Sequence, residues 1–386
     1  DAVTSHLVSD VPVGAFLSGG IDSSLVVALM SQHLDEPVQT FTMGFGGARN
    51  PLLDERPLAR RVADRYGCQF HEYVVQPDFR GIVGEIVDAF DEPFADDSVI
   101  PSYYVSQFTR QRVKVALSGL GGDELFAGYK RYSGVLLSLY YSRLMPSALH
   151  RWLVQPLIQR LPEPAHGGDR LNHAKRFAAA VLQSPAERYL GFVSTLTSLE
   201  RCRLFTSPVA NQIDFDATNR IITDLYEHCR APDDLSKALY VDIKTYLPED
   251  ILALSDRLSM WHSLEVRVPL VDHSLVELSA QLPYRYKLDW YRKKILLKQI
   301  AARRLPTEVT NHRKQGFESP MAAWLRTDLA DYARDVLSPS RLNKVGLVDG
   351  GYVTSKLEEH LSGRQKNNKL LFSLIMFQEW HERHMA

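Results

Sequence analysis

The chain has 386 residues, 45% of them hydrophobic and 24% charged, with 45 Lys plus Arg against 46 Asp plus Glu. That balance excludes a protein-wide positive field of the kind that drives non-specific nucleic-acid binding, and no apolar run reaches the length needed to cross a bilayer. The length admits a single large α/β unit with insertions as readily as about two or three domain-sized units.

The opening DAVTSHLVSD has neither an initiator Met nor a signal peptide and already reads as helix, so the chain is expected to be part of something longer. VPVGAFL at 11–17 is almost wholly apolar, the signature of a strand buried on both faces. Residues 22–34 then place Leu25, Val26, Leu29, Met30 and His33 at helical spacing, which makes LSGGIDSS a strand-to-helix junction. PVQTFTMGF (37–45), CQFHEYVV (68–75) and VKVALS (113–118) read as further buried strands, with helical segments near 54–66 and 98–111 between them. Strands alternating with helices predict a parallel sheet wound by βαβ units.

After residue 134 the pattern changes to a helix-rich region periodic in Leu, Tyr and Val, broken at LPEPAHGGD (161–169) and APDD (231–234). Polar punctuation returns in KTYLPEDILALSDRLSMWHSLEVRVPLVD (244–272), followed by a helix expected at 290–304. Cys68, Cys202 and Cys229 are odd in number, far apart and without CxxC spacing. This argues against a disulfide framework or a zinc site and fits a reducing, cytoplasmic setting.

A phosphate chain needs backbone N–H groups aimed at its oxygens, and a helix that starts after a parallel strand supplies both the donors and a favourable dipole. In LSGGIDSS, Gly19 and Gly20 allow close backbone approach, and Ser18, Ser23 and Ser24 offer hydroxyls. Asp22 would repel phosphate unless a divalent cation stood between them, which predicts Mg²⁺. The loop lacks a lysine and the GxxxxGK[ST] pattern, so it is not built for cleavage at the γ-phosphate. The commonplace alternative is a Gly-Gly turn followed by an Asp or Ser cap. LSGLGGDELFAGY (117–129) repeats the logic: after Ser118 come three glycines, then Asp123 and Glu124 open a helix. Asp123 is expected beside Asp22 at the C-terminal edge of the sheet, where two acids can share metal ions.

With both loops in hand, the chain resembles the synthetase domain of the glutamine-dependent asparagine synthetases, a branch of the N-type ATP pyrophosphatases. The motifs, in order, are SGGIDSS, TFTMGF, DEPFADDSVIPSYYVS (91–106), SGLGGDELFAGY, SMWHSLEVRVPLVDH (259–273), KILLK (294–298) and HRKQGFESPMAAWLR (312–326). The resemblance implies a HUP-like α/β fold of the adenine nucleotide alpha-hydrolase type, a parallel sheet with helices on both faces. It implies a nucleotide-binding part at 1–134, a helical region at 135–240 and a C-terminal part at 241–386 that completes the site. It also implies that SGGIDSS holds the leaving pyrophosphate, that Asp22 and Asp123 bind Mg²⁺, that Leu17 and Met43 line the adenine side, and that Ser118 and Gly119 touch the nucleotide. Lys294 matches the lysine that stabilises charge on the transferring phosphoryl group; a solvated lysine next to Lys293 is its bland alternative.

The implied reaction is ATP-dependent: aspartate is adenylated to β-aspartyl-AMP, pyrophosphate leaves, and ammonia derived from glutamine displaces AMP. In the family an N-terminal glutaminase domain with a nucleophilic Cys supplies that ammonia, and no such domain is present in this chain. Leu120 departs from the family, which has Glu or Asp there, or Tyr in the β-lactam-forming relatives. Leu120 cannot accept a proton, so polysaccharide amidation, β-lactam formation and lasso-peptide cyclisation stay open as alternatives, with a non-catalytic nucleotide-binding module as the competitor from another class. The partners expected are small molecules, with no nucleic acid and no membrane; a homodimer stays open. Lesser candidates are His71 with Glu72 at the end of the third strand, the WHERH pair His381 and His384, a structural Arg267–Asp272 pair, and a solvated basic loop at 363–369.

Overall fold

The run VPVGAFL forms β1 (Val13–Phe16), and the other expected strands form β2 (Gln39–Phe45), β3 (Gln69–Val75) and β4 (Val115–Leu117). A fifth, β5 (Glu265–Arg267), lies within SLEVRVPLVD, too short to carry a periodic signal of its own. The structure, a computed structural model, describes residues 1–46, 54–76, 78–161, 170–312 and 319–385. All strand pairs are parallel, in the order β3-β2-β1-β4-β5. The chain winds outward from β1 to β3 and then restarts on the other side of β1 with β4. The switch point therefore falls between β1 and β4, where an open α/β sheet binds its ligand beyond the strand C-termini.

Two compact units divide the chain. One comprises Asp1–Ile82, Ser98–Tyr129 and Asp242–Ser319; the other comprises Val83–Asp97, Lys130–Val241 and Pro320–Ala386. The first holds the sheet. Its strands alternate strictly: Ala15, Leu17 and Leu117 face a core with Leu25 and Val26 of helix Ile21–Met30, Ala59 and Val62 of helix Arg56–Arg65, and Leu297 and Ala301 of helix Ile295–Ala302. Phe16, Phe41 and Ala116 face the opposite side, with Phe108 of helix Val99–Arg110 and Leu264. Helices thus cover both faces, as an all-parallel sheet requires. Phe41 is fully buried, with the Phe108 ring edge-on at 6.0 Å and the His71 ring stacked at 5.1 Å. Burial of such a side chain is worth about 2–3 kcal/mol.

Among its described residues the second unit has helices and no strand, apart from an isolated antiparallel bridge between Phe205 and Val348. Local signals start its helices: Ser184 with Glu187 and Thr197 with Glu200 form reciprocal capping boxes. A buried Arg188 donates to Ser138 Oγ at 2.9 Å, and Tyr189 lies against Tyr226 with ring centroids 6.0 Å apart. No helix among the described residues is long and apolar enough to cross a membrane.

Four expectations are corrected. CQFHEYVV, expected as a buried strand, forms β3 at the edge of the sheet, where Val75 is buried and Gln69, Glu72, Tyr73 and Val74 are exposed. The helix expected at 290–304 begins only at Ile295, because Leu288 and Lys293 bridge antiparallel and Asp289 N–H bonds the Arg292 carbonyl, making the preceding segment a tight hairpin. His71 and Glu72 lie inside β3 rather than at its end, and Glu72 is spent on ion pairs with Arg56 and Arg60. Arg267 pairs with Glu265 and donates to the carbonyls of His6 and Val8, while Asp272 caps the helix His273–Gln281 through Ser274 N–H. Residues 313–318 of the HRKQGFESP motif lie outside the described residues.

Candidate active site

The first loop is folded by its own hydroxyls. Ser18 Oγ lies 3.0 Å from Ser23 Oγ and accepts from Gly20 N–H at 3.2 Å, while Ser18 N–H donates to Ser23 Oγ at 3.2 Å. Gly19 sits at φ 79° and Gly20 is the N-cap of helix Ile21–Met30, so Asp22 falls in the helix's first turn. Ser24 Oγ and Asp22 Oδ1 are buried with no hydrogen-bond partner among the described residues. A buried carboxylate oxygen and a buried hydroxyl without partners cost free energy unless a ligand satisfies them. Leu17, fully buried, extends the ladder through Phe41, and its carbonyl accepts from Thr42 Oγ1 at 2.5 Å; half-buried Met43 follows on β2.

The second loop leaves β4 alongside the first. Ser118 N–H bonds the Arg267 carbonyl on β5 at 2.8 Å, and Ser118 Oγ accepts from Leu120 N–H at 3.4 Å. The two loops touch through Gly119: a Cβ there would collide with Ser23 N and stand 2.8 Å from the Asp22 carbonyl carbon. The chain then turns through Gly121 at φ 89° into the short helix Gly122–Leu125, which carries buried Asp123 and Glu124. Tyr129 OH donates to Glu124 Oε1 at 2.5 Å. Leu120 is half-buried.

A third segment closes the arrangement. The 288–293 hairpin delivers Lys294 as N-cap of helix Ile295–Ala302 in the left-handed conformation, φ 53° and ψ 41°. Lys294 is 5% exposed, and its Nζ ion-pairs with Asp22 Oδ2 and with Asp123 Oδ1, the latter at 2.9 Å. Lys293 turns to the Gly128 carbonyl at 2.9 Å. The solvated-lysine alternative therefore does not describe Lys294. Asp22, Asp123 and Lys294, separated by 101 and 171 positions in the chain, meet at the switch point between β1 and β4.

Two carboxylates thus converge on one ammonium in a site with little water to screen them. Magnesium needs few protein ligands because it takes one or two carboxylates together with substrate phosphates. Asp22 Oδ1, orphaned at the head of a helix, and Asp123 beside it fit that donor set, with the serines and the helix N-terminus available to the phosphates. No group of three or more His, Cys, Asp or Glu that could hold a metal ion occurs among the described residues.

The sequence reading missed the groups that hold these residues in place. Lys293 and Gly128 anchor the lysine segment, the Arg267 carbonyl on β5 anchors Ser118, and Tyr129 engages Glu124. The glycine in LFAGY and the doubled lysine at 293–294 were the available signals.

A family model described as asparagine synthase matches residues 1–382. A glutamine-hydrolysing asparagine synthetase 1 of Bacillus subtilis is 31% identical over 382 residues, covering 99% of this chain and 57% of the relative. A Mycobacterium tuberculosis protein provisionally named as a glutamine-hydrolysing asparagine synthetase is 32% identical over 383 residues, covering 99% of this chain and 56% of the relative. An amidase of Penicillium rubens, chyE, is 25% identical over 399 residues, covering 93% and 57%. The chain thus spans a little over half the length of the curated relatives it matches. With the parallel sheet, both glycine loops and the match running over nearly every residue, this chain belongs to the asparagine synthase family.

Proposed function

We propose that this chain is the synthetase part of an ATP-dependent amide-forming ligase that makes asparagine from aspartate, with ammonia drawn from glutamine by a glutaminase part. The observation that carries this reading is the buried Lys294 held between Asp22 and Asp123 where both glycine loops end. The relatives' description as glutamine-hydrolysing supports the nitrogen source, and the three scattered free thiols support a cytoplasmic setting.

In this reading the first-loop N–H groups and the Ser18, Ser23 and Ser24 hydroxyls hold the β- and γ-phosphates of ATP. Leu17 and Met43 flank the adenine, and Ser118 and Gly119 contact the nucleotide. A substrate carboxylate oxygen attacks the α-phosphorus, and the bond to the bridging oxygen of pyrophosphate breaks. Positioning and charge neutralisation carry this step, and Lys294 supplies a fixed positive charge beside the developing one. Asp22 and Asp123 would hold Mg²⁺, which when bound neutralises phosphate charge. Ammonia then attacks the acyl carbon, AMP leaves, and the nitrogen gives up a proton.

Leu120 supports a second reading, in which a carboxylate other than aspartate is activated by the same chemistry, because this half-buried side chain offers no polar contact to an amine. One assay separates the readings. AMP and pyrophosphate formed only with aspartate and ammonia together support the first; the same products with another acid support the second. ADP and phosphate, or no turnover with any acid, would sink both.

A further inference from the structure

We propose that the helical hairpin 130–161 docks on an anionic lipid surface. From Lys130 to Pro162 the chain carries five cations and not one Asp or Glu, although the whole protein is nearly neutral; Lys130, Arg143, Arg151 and Arg160 are exposed, while Arg131 is half-buried and does not join that surface. The same segment exposes large apolar side chains in register. On helix Lys130–Leu144, Leu137, Tyr140 and Leu144 recur at i, i+3 and i+7, and Leu144 is 83% exposed. On the continuous helical stretch Ser147–Arg160, Leu149, Trp152, Leu153 and Leu157 recur at i, i+3, i+4 and i+8, with Trp152 85% exposed. Such spacings put each set along one side of its helix.

The contacts that hold the hairpin together lie elsewhere on it. His150, fully buried, meets Tyr141 OH at 2.8 Å through Nδ1 and the Ala178 carbonyl at 2.9 Å through Nε2. This joins the two helices to each other and to helix Arg170–Ala180, and leaves the tryptophan and leucines in solvent.

Charge decides among occupants. An isologous dimer would set this face against its own copy, cations against cations with no acid in the segment to offset them. A bilayer surface rich in anionic headgroups satisfies both features at once, since interfacial helices bury Trp and Leu at the acyl boundary and keep Arg and Lys among the phosphates. No membrane span is needed for such docking, so the absence of a spanning helix among the described residues does not bear on it.

The test is co-sedimentation of the full chain with phosphatidylcholine vesicles, with and without phosphatidylglycerol. Binding to the phosphatidylglycerol vesicles that weakens with salt is expected. A Trp152→Glu, Leu153→Glu double variant with an unchanged circular-dichroism melt should bind at least about tenfold more weakly. An Arg143→Glu, Arg151→Glu variant should lose the preference for phosphatidylglycerol. Failure of the unsubstituted chain to bind, or equal binding by the Trp152, Leu153 variant, overturns the proposal. So does a dimer, seen by sedimentation velocity, that the same variant dissolves while vesicle binding is absent.

Discussion

At Lys294 the backbone is left-handed, a conformation that costs a residue bearing a Cβ roughly 1–2 kcal/mol and persists only where its surroundings impose it. Here the hairpin before it and the helix after it fix the backbone, while the two carboxylates fix the ammonium. Gly128 is the complementary device. A Cβ at that position would overlap Asp123 Oδ1 and Lys294 Cε, so the absence of a side chain is what lets acid and lysine meet. Gly128→Ala should therefore lower kcat/KM for pyrophosphate release by at least about a hundredfold and cost about 1–3 kcal/mol of stability. Steady-state kinetics and urea titration read the two effects, and full activity in the alanine variant would contradict the packing argument. Asp22 and Asp123 were legible in the sequence because glycine-rich junctions announce themselves locally. Lys294 was legible only by resemblance, since nothing in KKILLK says that one lysine is buried and its neighbour reaches a carbonyl.

Among elements, the last helices of the second unit hold a titratable group in one state. His360, on helix Gly350–Leu361, accepts from Asn367 N–H at Nδ1 (3.1 Å) and meets the Ala322 carbonyl through Nε2 at 3.2 Å. Nε2 therefore carries the proton, and a second proton on Nδ1 would oppose the Asn367 N–H. Burial, with the nearby Arg326 charge adding to it, lowers the imidazole from its ordinary 6.5 to about 4. Between those values the unfolded chain binds a proton that the folded chain refuses, so stability falls as pH drops from 6.5 toward 4. The loss amounts to about 3 kcal/mol. Urea denaturation across that range should show the slope, and His360→Asn should flatten it while lowering stability at neutral pH; an unchanged slope would assign the effect to other groups. Element assignment from sequence succeeded where apolar runs mark the strand, as in β1, β2 and β4; it found β3 but misjudged its burial, and it failed at β5 and at the 288–293 hairpin. β4 and β5 are equally short, but β4 lies in the apolar run VKVALS whereas β5 is the half-exposed Glu-Val-Arg, and the hairpin hid inside a segment with helical composition.

For the whole molecule, ligand linkage gives the most direct reading of the site. If Asp22 and Asp123 hold Mg²⁺ with ATP, saturating both should raise the melting temperature, with about 2.7 kcal/mol of stabilisation at a hundredfold excess over Kd. Removing the metal with EDTA should cancel the shift, and Asp22→Asn should melt alike with and without Mg·ATP. A shift that survives EDTA would move the nucleotide's grip away from the two carboxylates. Sequence alone determined the class of the fold, the two glycine-rich junctions and their acids, because strand–glycine–helix junctions are encoded within a dozen consecutive residues. Tertiary structure alone decided that Asp22, Asp123 and Lys294 share one buried site, that Gly119 and Gly128 make room for it, and that a cationic, apolar hairpin faces solvent. Those facts depend on groups brought together from distant parts of the chain and on which side of each helix is covered, neither of which local periodicity records.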